Sequence, residues 1–385
     1  MKNSRRLFLF AALLLAAASG FFVSELMHRP PSFDLGEIEF PNALRESANM
    51  PVIEVLFVTN RKPVEGKSKA DAVFGNDNDN ELHYGRAEVR IPATFSIGDS
   101  QNPEIPREMI NEELAIVEKA EIISEPEFRA LLAQRMAGQE HDGATVFVHG
   151  IATSLDSSLR LAGALQFSLN LRQPMILFSW PTQPSLSIDS YRRSQEQVDA
   201  SAAALEKFLE PYRQSRFDLL AYSLGCKVVC RTFDLLMKND LWCKTETELP
   251  NVILAAPDVD PNDFDRAFVG ELGALADRTT VYVARNDHAL VISELLNNRP
   301  RLGAAVTPET AVTQLVDQNA GDNSRVEIVD ATFVNNARIS HRYFYQSRAV
   351  FSDLYNLLRN NLPARERQLL QHQRAREANY WIIPP

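Results

Sequence analysis

The chain has 385 residues, 45% hydrophobic and 23% charged, which is enough for one large core or two modest ones. A net charge of −10 excludes the basic surface that a nucleic-acid binder needs. Cys226, Cys230 and Cys243 show no zinc spacing with histidine, and the first two sit four apart on a helical pattern, so they read as packing residues, with no metal and no cofactor expected.

Lys2, Arg5 and Arg6 precede an uncharged, mostly apolar run over residues 7–23. It reads as a signal peptide or a membrane anchor, with small-residue cleavage sites at 16–18 and 18–20. Arg5-Arg6 fits a twin-arginine signal, although paired arginines are ordinary in any positive n-region. Either way the rest of the chain is expected outside the cytoplasm, periplasmic or tethered to the inner membrane through residues 7–23. Residues 24–50, with Pro30-Pro31 and no clear period, read as a linker.

The globular domain is expected over 51–361. Residues 52–59 read as a strand, and 82–92 alternate as a half-buried strand does, which gives the sheet an antiparallel start. Residues 93–143 are a connector or a cap, with a strand at 115–123 and a helix opened by the capping box Ser124–Glu127. Then strands alternate with helices. Strands are expected at 145–150, 175–180, 219–221, 251–256, 279–284 and, last, 326–330. Helices are expected at 156–171, 189–212 (capped by Ser187 or Asp189), 224–237, from Asp260, at 289–296 and, last, at 344–358. Residues 299–325 form a long loop, a rim or lid or a plain surface loop. Residues 362–385 form a basic, amphipathic C-terminal tail. Short, continuous apolar strands between helices imply an α/β fold, a mostly parallel sheet with helices on both faces. Such sheets carry function at the carboxyl ends of their strands.

Ser223 follows the strand at 219–221 and opens the next helix, with Ala221 two before it and Gly225 two after. That is a nucleophile elbow, G-x-S-x-G with Ala in the first glycine place. The turn is so sharp that bulky flanking side chains would collide. A serine nucleophile needs a base and a carboxylate to hold it, in the order Ser, acid, His. Asp287 follows the strand at 279–284 and is the candidate acid, with a second role as helix N-cap. His341 lies just before the last helix, where the base belongs. Asp258 and Asp260 are rival acids, and Asp330 a weaker one. His28, His83 and His372 lie away from strand ends, His288 is next to Asp287, and His149 is structural in its His-Gly turn. Gly150 lets the chain swing close to Ser223, so that the N–H groups of Ile151 and Leu224 can form the oxyanion hole.

The segments Val146–Gly150, Leu177–Pro181, Leu220–Gly225, Leu254–Asp260 and His341–Phe344 resemble the esterase/lipase-like α/β-hydrolases of unassigned function widespread in bacteria. Upstream, Phe57–Arg61 and Tyr84-Gly85 resemble the N-terminal part of that family. The resemblance covers residues 52–358. It implies the α/β-hydrolase fold and a Ser-Asp-His triad at Ser223, Asp287 and His341. Tyr222 stands where the family usually has His, and Cys226 where it has Asn. The expected function is an exported or membrane-tethered serine hydrolase that cleaves a carboxylic ester or related acyl bond of a small-molecule or lipid substrate through an acyl-enzyme, with thioesters and amides open. The alternative is a catalytically inactive scaffold serving as an envelope interaction protein.

Overall fold

In the computed structural model the described residues are 50–64, 74–91, 115–137, 143–171, 173–243, 249–268, 275–304, 325–335, 340–374 and 377–385. All of them fall within the compact unit Met50–Pro385. The expected signal or anchor and nearly all of the linker (1–49) lie outside them, as do much of the connector or cap (92–114 and 138–142) and most of the long loop (305–324). Among the described residues no helix is long and apolar enough to cross a membrane.

The described strands are β1 (Val52–Pro63), β2 (Phe74–Arg90), β3 (Ile116–Ile123), β4 (Gly143–Val148), β5 (Met175–Ser179), β6 (Arg216–Tyr222), β7 (Leu249–Ala255), β8 (Ala276–Val283), β9 (Val326–Asp330), β10 (Leu370–Arg374) and β11 (Glu377–Ile382). They form one sheet in the order β10-β11-β9-β8-β7-β6-β4-β5-β1-β2-β3. β1, β2 and β3 pair antiparallel, and β1, β5, β4, β6, β7, β8 and β9 run parallel. This is the mostly parallel sheet with antiparallel N-terminal strands that the sequence implies.

Alternation along each strand loads both faces. Leu219 and Ala221 point with Val146, Val148, Ile176 and Phe178 into one buried cluster. Leu220 points with Phe147, Leu177 and Ile253 into the other. The first cluster is covered by α1 (Glu125–Met136), α4 (Val198–Leu209), α5 (Gly225–Leu236) and α6 (Pro261–Phe268). The second is covered by α2 (Leu155–Ser168) and α8 (Arg348–Asn360). Two further helices, α3 (Ile188–Glu196) and α7 (His288–Asn297), begin at the carboxyl edge of the sheet.

Three expectations change. The helix expected over 189–212 breaks at Gln197 into α3 and α4, with Ser187 as N-cap of α3. The buried Ser194 hydroxyl donates back to the Ser190 carbonyl at 2.8 Å, a bond that bends helices, and accepts from Gln183 N–H at 3.2 Å. The helix expected over 344–358 breaks at Ser347, whose extended backbone separates Tyr343–Gln346 from α8.

The third change is larger. β9 is not the last strand, because the tail expected at 362–385 belongs to the sheet. β10 and β11 pair antiparallel, and β11 lies parallel to β9 with Trp381 opposite Val329. Tyr380 and Trp381 pack on opposite faces, as alternation requires. The basic character has a local use as well. Buried Arg367 pairs with Asp353 at 3.0 Å and Glu327 at 2.7 Å, which fastens the tail to α8 and β9.

Candidate active site

Three loops meet at the carboxyl edge of the sheet. The first leaves β6. Ser223 has φ 56°, a left-handed conformation costly for a residue with a Cβ. Bonds from Ser223 N–H to Ala255 O (3.0 Å) and from Asp258 N–H to Ser223 O (3.1 Å) hold it there. At Gly225 a Cβ would lie 2.7 Å from the Val148 carbonyl oxygen and closer still to that of His149. That contact is the physical reason for a glycine two places after the serine.

The second loop leaves β8. Asp287 caps α7: its Oδ1 accepts from Ala289 N–H at 3.1 Å and Leu290 N–H at 3.2 Å. Its Oδ2 lies 2.7 Å from His341 Nδ1. The cap and the histidine contact thus use different oxygens of one fully buried carboxylate. The third loop follows β9 and ends in a single turn, Ser340–Arg342, that carries His341. His341 Nε2 lies 2.7 Å from Ser223 Oγ. The structure therefore brings Ser223, His341 and Asp287 into one hydrogen-bonded chain.

The rival acids point elsewhere. Asp258 accepts from Tyr191 Oη at 2.9 Å and Ser293 Oγ at 2.5 Å, and faces Arg301 at 3.4 Å. Asp260 pairs with Arg299 at 3.1 Å, and Asp330 accepts from Thr332 N–H at 2.8 Å. None of the three has a bond to His341.

The His-Gly turn leaves β4 beside the serine. A Cβ on Gly150 would come within 2.9 Å of Ser223 Cβ, so only a glycine lets the two loops approach this closely. The N–H groups of Ile151 and Leu224 have no acceptor among the described residues. His149 is structural, as the sequence suggested. Trp180 N–H donates to its Nε2 at 3.2 Å, so Nε2 is unprotonated and Nδ1 carries the hydrogen that is donated to Gly150 O at 2.8 Å. Burial pushes its pKa from 6.5 down to about 3, and the Arg61 charge acts in the same direction.

This has a consequence for acid stability. A lowered folded-state pKa means that the unfolded chain takes up the proton first. The stabilisation is complete above 6.5 and is lost as pH falls toward 3. Urea unfolding is expected to show wild type losing about 3 kcal/mol more than His149→Gln between pH 7 and pH 4. Parallel pH profiles for the two proteins would refute a neutral, proton-excluding His149.

Several positioning residues were not legible as such. Arg61, quoted above only within a resemblance, is buried under the oxyanion-side loop. Its Nη2 donates to Thr153 O at 2.7 Å, Nε to Ser179 Oγ at 3.0 Å and Nη1 to Asn76 Oδ1 at 3.2 Å. Asn286 and Asn335 tie the acid loop to the base loop: Asn335 Nδ2 donates to Asn286 Oδ1 at 2.9 Å and to Ser340 O at 2.8 Å. Tyr222 lies against the histidine, with ring centroids 5.0 Å apart and its hydroxyl donating to His341 O at 3.2 Å. The departure from the usual residue before the serine thus supports the His341 loop directly. The other departure, Cys226, is a buried free thiol whose pKa burial pushes well up, in keeping with packing. Cys230 behaves likewise.

Comparison with known proteins adds family information. A family model described as an alpha/beta hydrolase of unknown function (DUF900) matches residues 124–360. Among solved structures, MenH from S. aureus aligns at 12% identity and a TM-score of 0.31, covering 58% of this chain and 96% of that one. Aspergillus fumigatus lipase B aligns at 14% identity and a TM-score of 0.30, covering 60% of this chain and 56% of that one. No curated protein matches the chain.

Proposed function

Because this chain belongs to the DUF900 family of α/β-hydrolases of unknown function, we propose that it is a serine hydrolase cleaving a carboxylic ester or a related acyl bond. Ser223 Oγ attacks the acyl carbonyl while His341 Nε2 takes its proton. The Ile151 and Leu224 N–H groups hold the oxyanion. Collapse breaks the bond to the leaving group, which departs with the proton from His341. Water, activated by the same imidazole, then releases the acid and restores Ser223. Asp287 keeps Nδ1 protonated and stabilises the imidazolium.

The observation that carries this reading is the pair of 2.7 Å contacts joining Ser223 to His341 and His341 to Asp287. An inactive scaffold has no need of such a chain or of a strained serine. The positively flanked apolar run at 7–23 supports a protein exported from the cytoplasm or tethered to its membrane. A fluorophosphonate probe is expected to label the wild-type chain and to leave Ser223→Ala unlabelled. Equal labelling of both, or none of either, refutes the assignment. A panel of esters graded by acyl length then defines the substrate.

A further inference from the structure

The carboxyl edge of the sheet, where Ser223 sits, also carries most of the exposed apolar side chains. Ten large hydrophobic residues are exposed among the described residues. Only Val52, at the start of β1, and Ile116, at the start of β3 and paired with Arg90, lie at the opposite edge. Six lie on segments leaving the carboxyl ends of parallel strands: Val64 after β1, Leu186 and Ile188 after β5, Val291 and Leu295 on α7, and Phe333 after β9. Leu295 is 61% exposed, Phe333 60% and Leu186 58%, so these are not the margins of a core. Leu295 and Val291 are four apart on the outer side of the helix that Asp287 caps, while Leu290 and Ser293 face inward. The opposite edge is polar: Arg216, Asp218, Asn251, Arg359 and Asn361 line a small cavity there.

We propose that this apolar rim rests on a lipid bilayer, so that the site takes its acyl substrate from the membrane. The proposal rests on the tethered serine hydrolase reading above. The shape of the patch favours a bilayer over a peptide. A helix docks into an apolar groove, whereas these side chains are spread over four segments that leave the carboxyl ends of different strands. A polar cleft near the end of β1 is lined by Asn76, Gln183 and Arg193 among others. Apolar side chains spread along an edge that also carries polar surface suit the interface of headgroups and acyl chains. The chain preceding the domain agrees. Residues 24–49 separate the apolar run from the domain and reach up to about 85 Å when extended. A tether that long brings the domain to the membrane without fixing which edge faces it. The rim supplies that choice.

The test uses the full chain bound to vesicles of phosphatidylcholine and phosphatidylglycerol. An environment-sensitive fluorophore is placed at Leu295→Cys, at Phe333→Cys and, as the opposite-edge control, at Ile116→Cys; wild type treated with the same dye measures background from native cysteines. The first two probes are expected to shift to the blue and to be quenched by lipid-borne nitroxide, with Ile116→Cys unaffected. Removing the rim in Leu295→Ser/Phe333→Ser is expected to lower hydrolysis of a vesicle-embedded ester by about tenfold and to leave a soluble short-chain ester unchanged. That soluble activity shows the variant to be folded. Probes at all three positions that respond alike overturn the proposal. A blue shift in vesicle-free solution overturns it too, by showing that a second copy covers the rim. A chain that stays in the supernatant removes the tether and the proposal together. Failure to cleave any soluble ester, with the rim probes still quenched, refutes the hydrolase reading and leaves the membrane contact standing.

Discussion

Asp287→Asn is expected to lower kcat by about four orders of magnitude while the chain stays folded. The two oxygens of Asp287 do separate jobs, and the substitution divides them. Asparagine keeps one carbonyl oxygen for the Ala289 and Leu290 N–H groups, so the start of α7 retains its cap. The amide nitrogen then faces His341 Nδ1 and donates to it. That forces the hydrogen onto Nε2, the atom 2.7 Å from Ser223 Oγ, which must accept the serine proton. Asp258→Asn leaves His341 untouched, since Asp258 is occupied by Tyr191, Ser293 and Arg301. Its kcat is expected to stay within about tenfold of wild type. The check is kcat on the best ester of the panel, with thermal unfolding alongside. Wild-type kcat in Asp287→Asn, with a large loss in Asp258→Asn, would move the acid to the preceding strand end.

The second large effect is on the fold. Gly225→Ala is expected to destabilise the domain by about 3 kcal/mol and to abolish probe labelling. The new methyl group would press on the carbonyls of both Val148 and His149, backbone atoms of a central strand that have nowhere to move. The first turn of α5 must then retreat from β4. Ser223 moves with it, away from Gly150 and His341. Thermal unfolding and fluorophosphonate labelling measure the two losses. A variant with wild-type melting temperature and labelling rate would show that the elbow tolerates the methyl group.

What the sequence disclosed follows physical locality. The elbow was legible because the apolar period changes from strand to helix around Ser223, and because small residues flank it. Asp287 was legible for a similar reason, since a cap must stand beside its own helix. His341 needed only the topological order of the strands. The break at Gln197 was hidden, because it depends on where the Ser194 hydroxyl finds partners once the Gln183 segment folds back on it. The Asn286–Asn335 link joins residues 49 apart through side-chain amides, and no local pattern announces it. Arg61 stood only at the end of a resembling segment, with no local pattern to mark it as buried. It is a buried cation, because β5, β2 and the loop after β4 each offer it an oxygen acceptor. The hairpin of β10 and β11 was obscured because residues 362–385 read as one basic, amphipathic tail, whereas Arg367, just before β10, is an internal tie.

That hairpin also settles how the sheet ends. Without it the outermost strand on this side would be β9, fully buried and apolar enough to invite a neighbouring chain. With it the outermost strand is β10, only five residues long. The far border is β3, where Glu118 and Glu121 are paired to Arg90 and Arg86. A very short strand at one border and paired charges at the other are features that discourage one sheet from growing onto another. A crowded population of such domains therefore resists fibre-like association through its strands. Contact with the surroundings is left to the ends of the strands.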